Sequence, residues 1–285
     1  YRRLLDDAGW SEAMAGAVAV MHVATQILAE EPKDSNIVVR PAIEGTARVL
    51  RFAQAAGVKR VVITSSIATV GYGHGHTTGK RTYTEEHFTD LDNMKWTWAY
   101  CIGKTKAERA AWAYAKANGI GLTTIHPGMI LGPAVDDDAS ISLGAVSGLL
   151  DGTTPALPNN GFTVSDVRDV AEMHVAAIET PAAAGERYLA TGTYLPFARI
   201  AEIVRQAYPN AKVTMRTVPD WLIRLQGDRA RAVHLMAEWV RAWRATFVDG
   251  WELSERLKSF GGALLALHGE RDDYGEPSQL DTIRR

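Results

Sequence analysis

The sequence predicts an α/β fold: a doubly wound parallel sheet joined to a smaller α+β domain. Three observations carry that expectation. Continuously apolar runs such as GAVAVMHVAT (16–25) and VVITSS (61–66) suit strands covered on both faces. Stretches with helical spacing separate them, giving the strand–helix–strand order of right-handed crossover units. The apolar runs end in hydroxyl, Pro or Gly residues, and an open α/β sheet binds ligands beyond the carboxyl ends of its strands.

Taken in order, 16–25 is the first strand. RPAIEGTARVLRFAQAAG (40–57) is a helix, with Pro41 in its first turn, Gly57 at its stop, and Ile43, Ala47, Leu50 and Ala53 on one face. VKRVVITSS (58–66) is the next strand. TWAYCIGKTKAERAAWAYAKANG (97–119) is a helix rich in good helix formers and stopped by Asn118-Gly119. GLTTIHPGMILGP (121–133) is a strand running into a Pro/Gly turn. VSDVRDVAEMHVAAIETP (164–181) is a helix capped by Asp166 or Asp169. GERYLATG (185–192) is a short strand, FARIAEIVRQAYP (197–209) an amphipathic helix, AKVTMRTVP (211–219) a strand, and 228–244 a Trp-rich helix.

The bulk properties exclude several classes. With 285 residues, 46% hydrophobic and 22% charged, the chain has the composition of a globular protein with ample core. A net charge of −2 argues against nucleic acid and anionic membranes as partners. Cys101 stands alone, so no internal disulfide is expected and a reducing, cytoplasmic setting is. No run approaches the roughly 18 apolar residues of a membrane span, and YRRLLDDAGW lacks a signal-peptide pattern. His22, His126 and His174 lack the spacing of a metal site, and His74 and His76 sit in the Gly-rich loop 71–79, so no metal is expected.

The chemistry gathers around Tyr100 and Lys104, four residues apart and so on one helix face. An ammonium there favours the phenolate and lowers the Tyr pKa, letting Tyr100 exchange a proton with a carbonyl or alcohol oxygen. The plain alternative is a surface pair that adds a few tenths of a kcal/mol to a helix. A second Tyr-x-x-x-Lys match, Tyr208 to Lys212, is broken by Pro209 and Asn210. Ser66 ends a strand and can bond the substrate oxygen that Tyr100 addresses. Pro127 and Gly128 shape a turn that a flat ring can approach. Cys101, beside Tyr100, has no sequence neighbour to activate it and reads as inert.

VVITSSIATV, YCIGKTKAERAAW and TTIHPGMILGP together resemble the extended short-chain dehydrogenase/reductase superfamily. Within its NAD-dependent epimerase/dehydratase family, the resemblance is to the dihydroflavonol-4-reductase and aldehyde-reductase branch, over about residues 4 to 225. It implies a Rossmann-like domain at 1–134 with about 163–195, and a substrate domain at about 135–162 with 196–285. It implies hydride transfer between a nicotinamide cofactor and an aldehyde, ketone or alcohol, with NADP chosen over NAD. Ser66 would orient the carbonyl, Tyr100 donate the proton, and Lys104 lower the Tyr pKa and hold the ribose. Val23, Ala24, Thr25, Thr64, Ser65, Pro127, Gly128 and Ile130 would border the cofactor, and Ile67 the substrate. A small-molecule substrate and a monomer or homodimer complete the expectation.

The sequence departs from that pattern in lacking the family's Gly-x-x-Gly-x-x-Gly turn, which cradles the pyrophosphate at a helix N-terminus. Two other readings therefore stand: a nucleotide-sugar epimerase or dehydratase, with Arg216, Arg224 and Arg229 as diphosphate partners, and a non-catalytic relative. Weak cofactor binding and self-association through an uncovered sheet edge are further expectations.

Overall fold

A computed structural model of the chain describes residues 2–28, 31–75, 82–94, 97–133 and 141–218. After a 3-10 turn at Arg2–Leu5, the elements are α1 (Trp10–Met14), β1 (Val20–His22), α2 (Asn36–Ala55), β2 (Arg60–Thr64), α3 (Ala99–Asn118), β3 (Gly121–Pro127), β4 (Met129–Leu131), α4 (Ile141–Asp151), β5 (Gly161–Asp166), α5 (Val167–Glu179), β6 (Arg187–Ala190), β7 (Tyr194–Pro196) and α6 (Phe197–Ala207). The chain divides into two compact units, Tyr1–Asp137 with Thr163–Thr193, and Asp138–Phe162 with Tyr194–Arg285.

The first unit holds a parallel sheet of order β1-β2-β3-β6. Its register sets Val20 opposite Val61, Thr64 opposite Ile125, and Pro127 opposite Ala190. Alternation along β2 sends neighbouring side chains to opposite faces. Val61 and Ile63 join Val49, Leu50, Ala53, Ala111, Ala115 and Leu122 beneath α2 and α3. Val62 joins Ile125, Val170, Ala177 and Ala190 beneath α5. That double cover is why β2 and β3 read as unbroken apolar runs; the run 16–25, expected to be covered on both faces, yields only the short β1, with Val18, Met21 and Val23 exposed.

Helix α2 begins at Asn36, so Pro41 lies inside the helix rather than in its first turn. Gly57 and Gly119 adopt left-handed φ angles of 77° and 63° just past α2 and α3, where a side chain would be strained. Asp166, not Asp169, caps α5, accepting the Arg168 N–H at 2.9 Å. The run 121–133 forms two strands. β3 continues the main sheet, while β4 pairs in parallel with β5, Ile130 opposite Ser165.

In the second unit, α4 was not foreseen. The expected strand at 211–219 is reduced to a single bridge between Leu157 and Thr217. Its backbone bonds run from Leu157 N–H to the Arg216 carbonyl and from Val218 N–H to the Leu157 carbonyl. One residue thus satisfies both contacts, and no ladder propagates. The expected helix at 228–244, with Arg224, Arg229 and His76, lies outside the described residues. No described helix is long and apolar enough to cross a membrane.

Candidate active site at the ends of β2 and β3

Three local features assemble the site. Strand β2 ends at Thr64, and Ser65–Ser66 lead into a 3-10 turn at Ile67–Thr69. Ser66 is that turn's N-cap, its Oγ accepting the Ala68 N–H at 3.1 Å. Helix α3 starts at Ala99, so Tyr100 sits in its first turn and Lys104 one turn on. Trp98, the N-cap residue, makes no side-chain cap bond. Glu31 fills that role from the segment after β1, accepting the Ala99 N–H at 2.8 Å.

The Ser66 hydroxyl faces the Tyr100 phenol closely enough to act on its titration. Burial raises the phenol above its ordinary pKa, and Ser66 opposes that rise. Lys104 does not lower it, contrary to the expectation from spacing. Its Nζ donates instead to the Thr64 carbonyl at 2.6 Å, and burial pulls the ammonium down to about 8. Helical spacing puts the two side chains on one face, but a free carbonyl at the strand end competes for the ammonium. Tyr100 is therefore a neutral phenol at neutral pH.

Thr64 is fixed from both sides. Its hydroxyl meets His174 Nε2 at 2.7 Å, while His174 Nδ1 faces the Val170 carbonyl at 2.7 Å. A carbonyl only accepts, so Nδ1 carries the proton and Nε2 accepts from Thr64. Ser65 donates to Glu108 Oε2 at 2.6 Å. His126 and His22 are buried and pulled down to about 4 by that burial, so both are neutral above that pH.

The turn after β3 is held by a residue that the sequence did not advertise. Ser165 Oγ accepts the Gly128 N–H at 2.8 Å and donates to the Ala190 carbonyl at 2.5 Å. A Cβ on Gly128 would lie 2.1 Å from the Thr163 carbonyl, so only glycine permits this approach. Ile130 packs against the cluster of Val62, Ile125 and Val170.

Two spaces adjoin these groups. A small one is lined by Ala24, Thr25, Thr46, Ser65, Lys104 and Glu108. An open crevice of about 170 Å³ is lined by Leu28, Glu31, Pro32, Val38, Trp98 and Tyr100. Ser66, Tyr100, Lys104, Thr64 and Ser65 thus come together, and Ala24 and Thr25 reach the same neighbourhood. Val23 is 58% exposed and lines neither space, and Ile67 lines neither. Cys101 is buried, its Sγ donating to the Ala68 carbonyl at 3.1 Å, with burial pushing the thiol up to about 12. No described cluster of three or more His, Cys, Asp or Glu could hold a metal ion.

Sequence reasoning missed Glu31, Glu108, Ser165 and Arg187. Each acts across a distance in the chain, so none forms a local motif. The one available signal was Glu108, which extends the four-residue spacing of Tyr100 and Lys104 by one more turn.

The chain matches the model of the NAD dependent epimerase/dehydratase family over residues 2–190. It is 32% identical to cinnamoyl-CoA reductase CAD2 of Medicago truncatula over 219 residues, 76% of this chain and 67% of that protein. It is 33% identical to dihydroflavonol 4-reductase of Zea mays over 221 residues, 75% and 60% of the two chains. Among solved structures it resembles the yeast methylglyoxal/isovaleraldehyde reductase Gre2 complexed with NADPH. That likeness has a TM-score of 0.65 and 25% identity, covering 73% of this chain and 67% of that one. The matched region is thus about three fifths to two thirds of each relative's length.

Proposed function

Because the chain belongs to the NAD-dependent epimerase/dehydratase family, we propose that it is an NADPH-dependent reductase of small aldehydes or ketones. One observation carries the reading: a protonated phenol, a serine hydroxyl and a lysine ammonium converge at the carboxyl end of β2. The reductase relatives and the NADPH complex of Gre2 support it.

The donor set suits the ribose end of a nicotinamide cofactor. Lys104 offers an ammonium beside the small residues Ala24 and Thr25, and Tyr100 a hydroxyl. When bound, the cofactor supplies a hydride for the carbonyl carbon. Ser66 and Tyr100 hold the carbonyl oxygen by hydrogen bonds, which strengthen as negative charge develops on it. The Tyr100 O–H then gives its proton to that oxygen, so one hydride and one proton make the alcohol. Solvent returns the proton to the phenolate left behind, while the Lys104 ammonium, held on the Thr64 carbonyl, stays available to the ribose hydroxyls. The crevice beside Tyr100, lined by Leu28, Pro32, Val38 and Trp98, suits the apolar part of a substrate.

The test is calorimetric titration with NADPH and then NADH, followed by a panel of aldehydes and ketones monitored through cofactor absorbance. Micromolar NADPH binding with turnover of at least one carbonyl compound is the expected result. Absence of turnover with either cofactor overturns the reading, and a nucleotide sugar that raises Tm in its place points to the epimerase chemistry.

A further inference from the structure

One turn beyond Lys104, α3 carries Glu108, 2% exposed and outside every motif read from the sequence. Its Oε2 accepts from Ser65 at 2.6 Å. Its Oε1 accepts from Arg187 Nε at 2.8 Å, His126 Nε2 at 3.0 Å, Trp112 Nε1 at 3.2 Å and Thr124 Oγ1 at 3.4 Å. A buried carboxylate without partners would cost several kcal/mol. Here it is saturated by donors from β3, β6, α3 and the end of β2. Arg187 is itself pinned by the His87 and Glu85 carbonyls and stacks 3.8 Å over the Phe88 ring.

We propose that Glu108 is a positioning residue for Lys104: a fixed, buried anion that keeps charged the ammonium that the Thr64 carbonyl holds at the reacting end of the sheet. The link to catalysis rests on the reductase reading above; the coupling acts through space, since the ammonium's hydrogen bond goes to the Thr64 carbonyl, and its basis is geometric. The two side chains share a helix face and line one small space with Ser65, Thr46 and Thr25. The titratable and charged groups around them are His22 from β1, Tyr100 from the same helix, His126 from β3, and Arg187 from β6 behind Glu108. Both histidines are neutral above about 4, and Tyr100 is protonated past its ordinary range. Burial pushes the Glu108 carboxyl up, but its cationic and hydrogen-bonding partners outweigh that and hold it below its ordinary value. With His126 neutral, Arg187 is the cation that bonds Glu108 directly at neutral pH, and Lys104 is coupled to it through space. Glu108 is then the anion, among the described residues, that offsets the burial of Lys104.

A double-mutant cycle of folding stability tests the pairing without any appeal to activity. K104M, E108Q and the double variant are unfolded in urea from about pH 6 to 10. The expected coupling is about tenfold in the folding equilibrium constant near pH 7, fading toward pH 10 as the lysine loses its proton. The pH profile of carbonyl reduction is recorded alongside. E108Q should move the alkaline limb of kcat down by about one pH unit while KM stays within about twofold. A carboxylate with a merely structural role would destabilise without moving that limb. Coupling below about twofold, or coupling independent of pH, overturns the proposal. If E108Q does not fold, Glu108→Asp carries the same cycle, with about threefold coupling expected and a flat pH response again overturning it. A native chain that reduces no carbonyl defeats the reductase reading and leaves the stability cycle to decide the pairing.

Discussion

Strands β1 and β3 run parallel in one sheet, yet they live in different worlds. Every residue of β3 after Gly121 is buried, and three of its polar side chains are bonded from outside the strand, although His126 Nδ1 has no partner. Thr123 bonds the Ala183 carbonyl, while Thr124 and His126 bond Glu108. β1, at one end of the strand order, buries only His22. Met21 is 42% exposed, and Val18 and Val23 beside it are 89% and 58% exposed. The difference teaches where the chemistry is anchored. Tyr100, Lys104 and Ser66 depend on the twice-flanked strands β2 and β3, whose neighbours dictate every polar contact. The β1 border is apolar surface that nothing described covers.

The comparison breaks most completely at Tyr100. Tyr100→Phe removes the proposed proton donor and should lower kcat by about 10²- to 10⁴-fold. Circular dichroism and Tm should stay near the native values, because the ring remains. Activity within tenfold of the native chain would mean that the buried heart of the sheet is not where the proton moves.

Lys104 comes next, and it sharpens the point through pH. Its folded value of about 8 lies below its ordinary 10.5. Between those values the unfolded chain binds a proton that the folded chain does not, so stability rises with pH across that window. Below about 8 the cost of burying the charge is present in full. The stability difference between the native chain and Lys104→Met should therefore swing by about 3 kcal/mol toward the native chain from pH 8 to 10.5. Cys101 titrates alike in both proteins and cancels from the difference. Urea unfolding at several pH values measures it, and a flat difference would mean that Lys104 is not a buried cation.

Ser165 tests how firmly the turn after β3 is held. Ser165→Ala leaves the Gly128 N–H and the Ala190 carbonyl without their shared partner, costing about 1–3 kcal/mol. Weaker cofactor binding should accompany the lower urea midpoint. The smallest effect belongs to β1. Val23→Lys should change stability by less than about 0.5 kcal/mol while reducing concentration-dependent self-association in sedimentation velocity. A larger loss of stability would mean that this border is core after all.

The sequence made the heart of the candidate site legible because its signals are local. The spacing of Tyr100 and Lys104 lies on one helix, Ser66 follows the end of one strand, and Pro127-Gly128 is one dipeptide. Glycine stops at 57 and 119 and the Asp166 cap are local as well, and the structure places them as such. The strand expected at 211–219 failed for the opposite reason. Its apolar alternation gave no hint that only Leu157 stands opposite to pair with it. The Pro41 position failed because α2 starts earlier, at Asn36, after a segment with little helical signal.

Composition and periodicity alone determined that this chain buries a parallel sheet between helices and places Ser66, Tyr100 and Lys104 at strand and helix ends. Hydrophobic spacing is written in neighbouring residues, and burial follows from it. Only the tertiary structure decided which way the Lys104 ammonium turns, that Tyr100 stays protonated, and that Glu108, Ser165, His174 and Arg187 fix the groups around them. Those outcomes depend on carbonyls and carboxylates brought close from tens of residues away, and on the loss of water around them. Neither the partner nor the desolvation is encoded at the position that feels it.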